Sequence, residues 1–197
     1  MDYYWRRRAA TIVQSWNPVR IVDVASGTGD LALAIRRKLP NAELTCVDFS
    51  PRMLDIARDK GIENIVVADA LHLPFAAESF DCATVAFGLR NFEDWSGGVR
   101  EMARVVKTGG HALIMDFSLP TWPILRVPYR FYLHRALPRI ASLITGEVEA
   151  YKYLSESIEQ FPSGDAMCEL LKSNGFAHAQ FERLSGGIVT IYTADKL

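Results

Sequence analysis

Short runs of β-branched and apolar residues alternate with amphipathic stretches through most of the chain, and this alternation predicts the elements. Trp5 to Trp16 reads as a helix stopped by Asn17-Pro18. Ile21 to Val24 reads as a buried strand, and Leu31 to Ile35 as the start of a helix ending in Arg36, Arg37 and Lys38. Glu43 to Asp48 is the second strand. Ser50 and Pro51 then open a helix with Met53, Leu54, Ile56 and Ala57 on its apolar face, ended by Gly61. Ile65 to Ala68 is the third strand, Leu71 to Ser79 a loop and Phe80 to Phe87 the fourth strand. Glu93 to Lys107 reads as a helix weakened by Gly97-Gly98, Thr108-Gly109-Gly110 as a tight turn, and His111 to Phe117 as the fifth strand.

Strands alternating with helices imply an α/β fold with a doubly wound, mostly parallel sheet. The end of the chain breaks the alternation. Ser163 to Asn174 is a helix, and Phe176 to Leu184 and Ile188 to Ala194 are strands joined through Gly186-Gly187, which predicts an antiparallel hairpin. A mostly parallel sheet closed by such a hairpin resembles the seven-stranded, Rossmann-like class I methyltransferases, with a helical insertion after strand 5.

In a parallel sheet the strand exits share one edge. Ala25 to Gly29, Asp48, Asp69-Ala70 and Phe87 to Asn91 therefore converge there, where open α/β folds bind cofactors. Gly27-x-Gly29-x-x-Ala32 with Asp48 about 20 residues on fits a loose dinucleotide pattern. Charge argues against a pyrophosphate, because Asp23 and Asp30 flank the loop and like charges repel. S-adenosylmethionine carries a sulfonium and an ammonium and no phosphate, and suits an acidic loop. Asp48 would accept from the ribose hydroxyls. The competing role for Asp30 is a helix cap.

Composition narrows the class. A chain of 197 residues, 49% hydrophobic, is expected to form one domain with a sizeable core. Its net charge of -1 gives no general attraction to nucleic acid. The sequence shows neither an apolar run long enough to span a bilayer nor a signal peptide, so the expectation is cytoplasmic. Cys46, Cys82 and Cys168 share no metal-ligand spacing, and no metal is expected.

Two basic stretches stand out. Arg6-Arg7-Arg8 suits a lipid surface, a partner or, most simply, solvent. From Leu119 to Gly146, aromatic and aliphatic residues interleave with Arg126, Arg130, His134, Arg135 and Arg139, without a carboxylate. Such helices lie on anionic membranes, roof apolar pockets or form dimer faces. This insertion or lid spans about 119–150 by its run of apolar and basic residues.

The chain resembles the ubiquinone/menaquinone biosynthesis C-methyltransferases. The matching stretches are Val22 to Leu31, Leu73-Pro74-Phe75, Phe87-Gly88-Leu89-Arg90-Asn91, Arg104 to Gly110, Asp116-Phe117-Ser118, Tyr151 to Ile158 and Gly186 to Val189. Against that pattern Thr108 replaces Pro, Asp116 replaces Glu and Ala86 replaces Ser. The family also carries a segment with a Y-D-x-x-N motif ahead of the W-R-R-R-A stretch, so a shortened start is expected.

The resemblance implies methyl transfer from S-adenosylmethionine to a ring carbon of a polyprenylated quinol, either demethylmenaquinol or a methoxy-benzoquinol. It implies that Asp23, Gly27, Thr28 and Gly29 hold the methionine end, Asp48 the ribose, and Asp69 and Ala70 the adenine. Arg90 and Asn91 are the expected catalytic residues, orienting the quinol, with Arg90 stabilising the developing phenolate. An ion pair with Glu93 or Asp94 is the alternative for Arg90. Peripheral membrane contact through 119–146, at the inner face of the membrane, and a homodimer are further expectations. The alternatives for the whole chain are a non-catalytic donor-binding partner of quinone enzymes and a nucleotide-dependent oxidoreductase.

Overall fold

The computed structural model describes residues 2–120 and 156–197. Residues 121–155 lie outside the described residues; they take in most of the insertion expected at about 119–150, with Tyr151 and Tyr153. The elements in order are α1 (Asp2–Trp16), β1 (Arg20–Val24), α2 (Asp30–Arg36), β2 (Glu43–Asp48), α3 (Pro51–Asp59), β3 (Asn64–Val67), β4 (Phe80–Ala86), a 3-10 turn (Leu89–Asn91), α4 (Trp95–Val105), β5 (Val106–Phe117), α5 (Asp165–Ser173), β6 (Ala177–Leu184) and β7 (Val189–Asp195).

The seven strands form one sheet in the order β3-β2-β1-β4-β5-β7-β6. β1 pairs in parallel with β2 and β4, β2 with β3, and β4 with β5. β7 enters between β5 and β6 and is antiparallel to both, so the C-terminal hairpin closes the sheet as expected.

Alternation along each strand distributes the core to two sides. Ile21, Cys46, Cys82, Leu113 and Met115 pack with Trp5, Ala9 and Val13 of α1, Leu31 and Ile35 of α2 and Leu54 of α3. Val22, Val24, Ala83, Val85, Ala112 and Ile114 face α4 and α5 through Val99, Met102, Met167 and Leu171. Both faces are covered, which explains why the strands read as continuous apolar runs.

Four local expectations are revised. α4 ends at Val105 rather than Lys107, and β5 begins at once. Val106 pairs with Phe80 and His111 with Cys82, so Lys107 to Gly110 form a bulge and not a free turn. Lys196 holds that bulge, accepting from the Gly109 N–H at 2.8 Å and donating to the Gly110 carbonyl at 2.8 Å. Gly97 and Gly98 lie in the first turn of α4, not its interior, and a Cβ on Gly98 would run into the Phe92 ring. Ser50 occupies the N-cap position of α3, with Pro51 following, but its side chain makes no cap bond.

Candidate functional site

The exits of β1, β2, β3 and β4 frame a cleft of about 770 Å³. That lies inside the range of roughly 300 to 1,000 Å³ common for small-molecule sites. Gly27, Thr28, Asp48, Asp69, Ala70 and Asn91 line it. Of the expected site residues, Asp23, Gly29 and Arg90 do not.

Loops crossing at the strand ends build the cleft. The Ser26 N–H donates to the Val47 carbonyl at 2.9 Å, which ties the glycine loop to β2. Asp48 completes the tie. One carboxylate oxygen accepts from the Gly27 N–H at 2.8 Å and the other from the Ser50 N–H at 2.9 Å. This largely buried carboxylate therefore shapes the loop besides facing the cleft. Gly27 sits at φ 54, and a Cβ added there would meet nothing within 4 Å, so bare backbone forms that wall. Across the cleft, a Cβ on Gly88 would lie 2.7 Å from the Ala25 Cβ. Only glycine lets the β4 exit pack this closely on the β1 exit. Ala25 and Phe87, on either side of that crossing, both adopt left-handed backbone, at φ 49 and φ 59. Strain of this kind persists where the surroundings enforce it and gathers at functional sites.

The electrostatics differ from the sequence expectation at two positions. Asp30 is paired: its carboxylate meets Lys60 Nζ at 2.5 Å and accepts from the Thr28 hydroxyl at 3.1 Å. Asp23 is 1% exposed, beneath α1 and α2. Burial raises its carboxyl from 3.8 to about 7, against the stabilising Thr84 hydroxyl bond at 2.6 Å, and its second oxygen has no hydrogen-bond partner. Neither residue is a bare surface charge. The carboxylates on the cleft wall are Asp30, Asp48, Asp69 and Glu93. Asp69 is exposed and accepts from the Leu71 N–H at 2.9 Å.

Arg90 is placed differently from the expectation. Its Nη1 donates to Asp116 at 2.7 Å and to the Phe87 carbonyl at 2.6 Å, and its Cζ lies 5.4 Å from the Phe117 ring centroid. The partner is thus neither Glu93 nor Asp94. Asp116 comes from β5, a strand that joins β4 only in the folded sheet. Asp116 is buried, its carboxyl raised by desolvation against the attraction of Arg90. The pair pins the Phe87 backbone in its left-handed conformation, and Phe87 lines the cleft. Arg90 therefore stands behind the cleft wall, bonded to Asp116 and to the Phe87 carbonyl.

Several cleft residues were not expected from the sequence. Arg6 lines the cleft, although its stretch reads as a solvated face. Phe49, 80% exposed, stands beside Asp48 with Met53, and Phe92 lines the opposite side. A large aromatic residue directly after a strand-ending carboxylate was the available clue to Phe49. Among the described residues, no group of three or more His, Cys, Asp or Glu is placed to share a metal ion. No described helix is long and apolar enough to cross a membrane.

Comparison with known proteins agrees with this geometry. The chain is 41% identical over 200 residues to a demethylmenaquinone methyltransferase of Thermus thermophilus, covering 99% of this chain and 90% of that protein. It is 40% identical over 204 residues to a ubiquinone/menaquinone biosynthesis C-methyltransferase UbiE of Geotalea daltonii, covering 100% and 86%. Among solved structures, human N-acetylserotonin methyltransferase in complex with SAM superposes with a TM-score of 0.69 at 20% identity, over 97% of this chain and 51% of that one. The plantazolicin methyltransferase BpumL in complex with SAH gives 0.72 at 14% identity, over 99% and 85%. These distant likenesses carry the fold, that of the class I methyltransferases. The family model of the ubiE/COQ5 methyltransferase family matches residues 1–196. The chain belongs to that family and is an S-adenosylmethionine-dependent methyltransferase.

Proposed function

We propose that the chain methylates a ring carbon of a polyprenylated quinol, demethylmenaquinol or a methoxy-benzoquinol, in quinone biosynthesis. The observation that carries this is the cleft at the strand exits, with bare Gly27 backbone, the Asp48 carboxylate and the aromatic wall of Phe87 and Phe92 together. The full-length relatives named for this chemistry support the substrate.

S-adenosylmethionine, when bound, supplies an electrophilic methyl group on a sulfonium. The glycine loop meets the methionine end, with Asp23 behind it as a buried countercharge. Asp48 retains acceptor capacity for the ribose hydroxyls beyond its two backbone bonds. Asp69 and Ala70 meet the adenine, with Phe49 and Met53 as its apolar cover. Asn91 and Phe87 face the transferring group and orient the quinol ring. The Arg90–Asp116 pair keeps that wall in place. The residues hold the ring carbon and the methyl in line and exclude water, which is the main catalytic requirement. Burial pushes the thiols of Cys46 and Cys82 up, so neither serves as a thiolate nucleophile and transfer is direct.

A prenylated substrate resides in lipid. We assign the meeting to the inner face of the membrane, with the basic amphipathic stretch 119–146 as the contact and the protein otherwise cytoplasmic. A homodimer through the same stretch is the alternative use of it. Methyl incorporation into a short-chain demethylquinol under reducing conditions tests the reaction. Turnover with the naphthoquinol or benzoquinol series is the expected result. Donor binding without turnover on either would leave a non-catalytic partner role and defeat the proposal.

A further inference from the structure

The donor site as assigned gives no task to Arg6, a charged residue of the cleft wall. Arg6 is the only cation among the described residues that line the cleft. The donor brings an anion of its own, the carboxylate of its methionine moiety. Against Asp30, Asp48, Asp69 and Glu93 that group meets repulsion unless a cation is set against it.

The fold delivers Arg6 to the methionine end. Trp5 is anchored by Nε1 donating to the Ser185 hydroxyl at 2.9 Å and by the Phe87 and Phe117 rings, each at 6.2 Å. The next residue is thereby held against the β4 exit, with its Cζ 5.4 Å from the Phe87 ring centroid. Its charge reaches both Asp23 and Asp30, the two acids flanking the glycine loop. The side chain keeps only 19% of its exposure, so solvent screens it less than a free surface arginine. Nε donates to Asp2 at 3.0 and 3.1 Å, and among the described residues no hydrogen bond engages the two terminal nitrogens, which are donors that a second carboxylate can accept from.

We propose that Arg6 anchors the carboxylate of the donor's methionine moiety and so sets where the methyl group stands relative to Phe87 and Asn91. The inference rests on the donor site assigned above. It is tested by titrating the protein with S-adenosylmethionine and with its decarboxylated analogue, which differs only by that carboxylate. Wild-type protein should favour the carboxylated donor by about tenfold or more, the scale of one charge-assisted contact. Arg6→Gln should weaken S-adenosylmethionine by about the same factor and the analogue by less than about twofold, while Arg6→Lys, which keeps the charge, recovers part of the preference. Equal weakening of both molecules, or no change in either, would assign Arg6 a purely structural role and overturn the inference. Wild-type protein that bound neither molecule would instead overturn the donor site itself.

Discussion

The two edges of the same sheet carry similar residues and differ in how those residues are satisfied. At the edge opposite the cleft, Trp16 to Val19, Asp81 and Lys107 to His111 surround a groove of about 310 Å³. Asp81 there accepts from the Val19 and Arg20 N–H groups at 3.0 and 2.8 Å and from Lys107 at 2.6 Å, and burial only partly offsets the lowering of its carboxyl by these partners. His111 meets Asp195 at 2.9 Å and stacks on Trp16. At the cleft edge an Asp23 oxygen lacks a partner, its carboxyl is pushed up to about 7, and Ala25 and Phe87 hold left-handed backbone. A cavity with acids and glycines is not enough to mark a site. Asn17 at the opposite edge is left-handed too, at φ 50, so backbone strain alone does not separate the edges; among the described residues, unmet polar capacity does.

Substitutions at the two edges test that contrast. The largest effect is expected from Asp116→Asn, which leaves the Arg90 guanidinium buried without its countercharge. Denaturant unfolding should show a loss of about 3 to 5 kcal/mol, and turnover should fall as Phe87 is released. Loss below about 1 kcal/mol would mean the pair does not pin the cleft wall.

Asp48→Ala comes next. Donor affinity should fall by about 1 to 3 kcal/mol, read by calorimetry, because the substitution removes a charged acceptor and frees the Gly27 N–H. An unchanged dissociation constant would remove Asp48 from the site.

Asp23 gives a pH signature. Its folded carboxyl is raised, so the native state keeps a proton that the unfolded chain has already released. Stability from this group is complete below 3.8 and lost as pH rises toward about 7. Thermal melts of Asp23→Asn should lack that decline. Donor affinity should move the other way and tighten several-fold between about pH 6 and 8, as Asp23 ionises behind the glycine loop and attracts a cationic ligand through it. Asp23→Asn should bind with a flat profile; a profile as steep as wild type would place the titrating group elsewhere.

The smallest effect belongs to the opposite edge. Asp81→Asn should cost about 1 kcal/mol of stability, since Lys107 remains half in solvent, and leave donor affinity unchanged. A change in donor affinity would erase the distinction between the edges.

Much of this was legible in the chain itself. Apolar runs broken by glycine and proline located six of the seven strands to within about a residue, because the hydrophobic period is a local property; the start of β5 was missed because its bulge is set by pairing with β4. They also put Gly27, Asp48, Asp69 and Asn91 at strand exits, hence on one edge. Only folding decided the rest, since it depends on residues far apart in sequence. Arg90 met Asp116 because β5 lies beside β4, and Lys60 neutralised Asp30 because α3 packs next to the glycine loop. Arg6 left an apparent surface run for the cleft because Trp5 wedged its helix against Phe87 and Phe117. Charge and burial are set by neighbours in space, and a linear pattern does not name them.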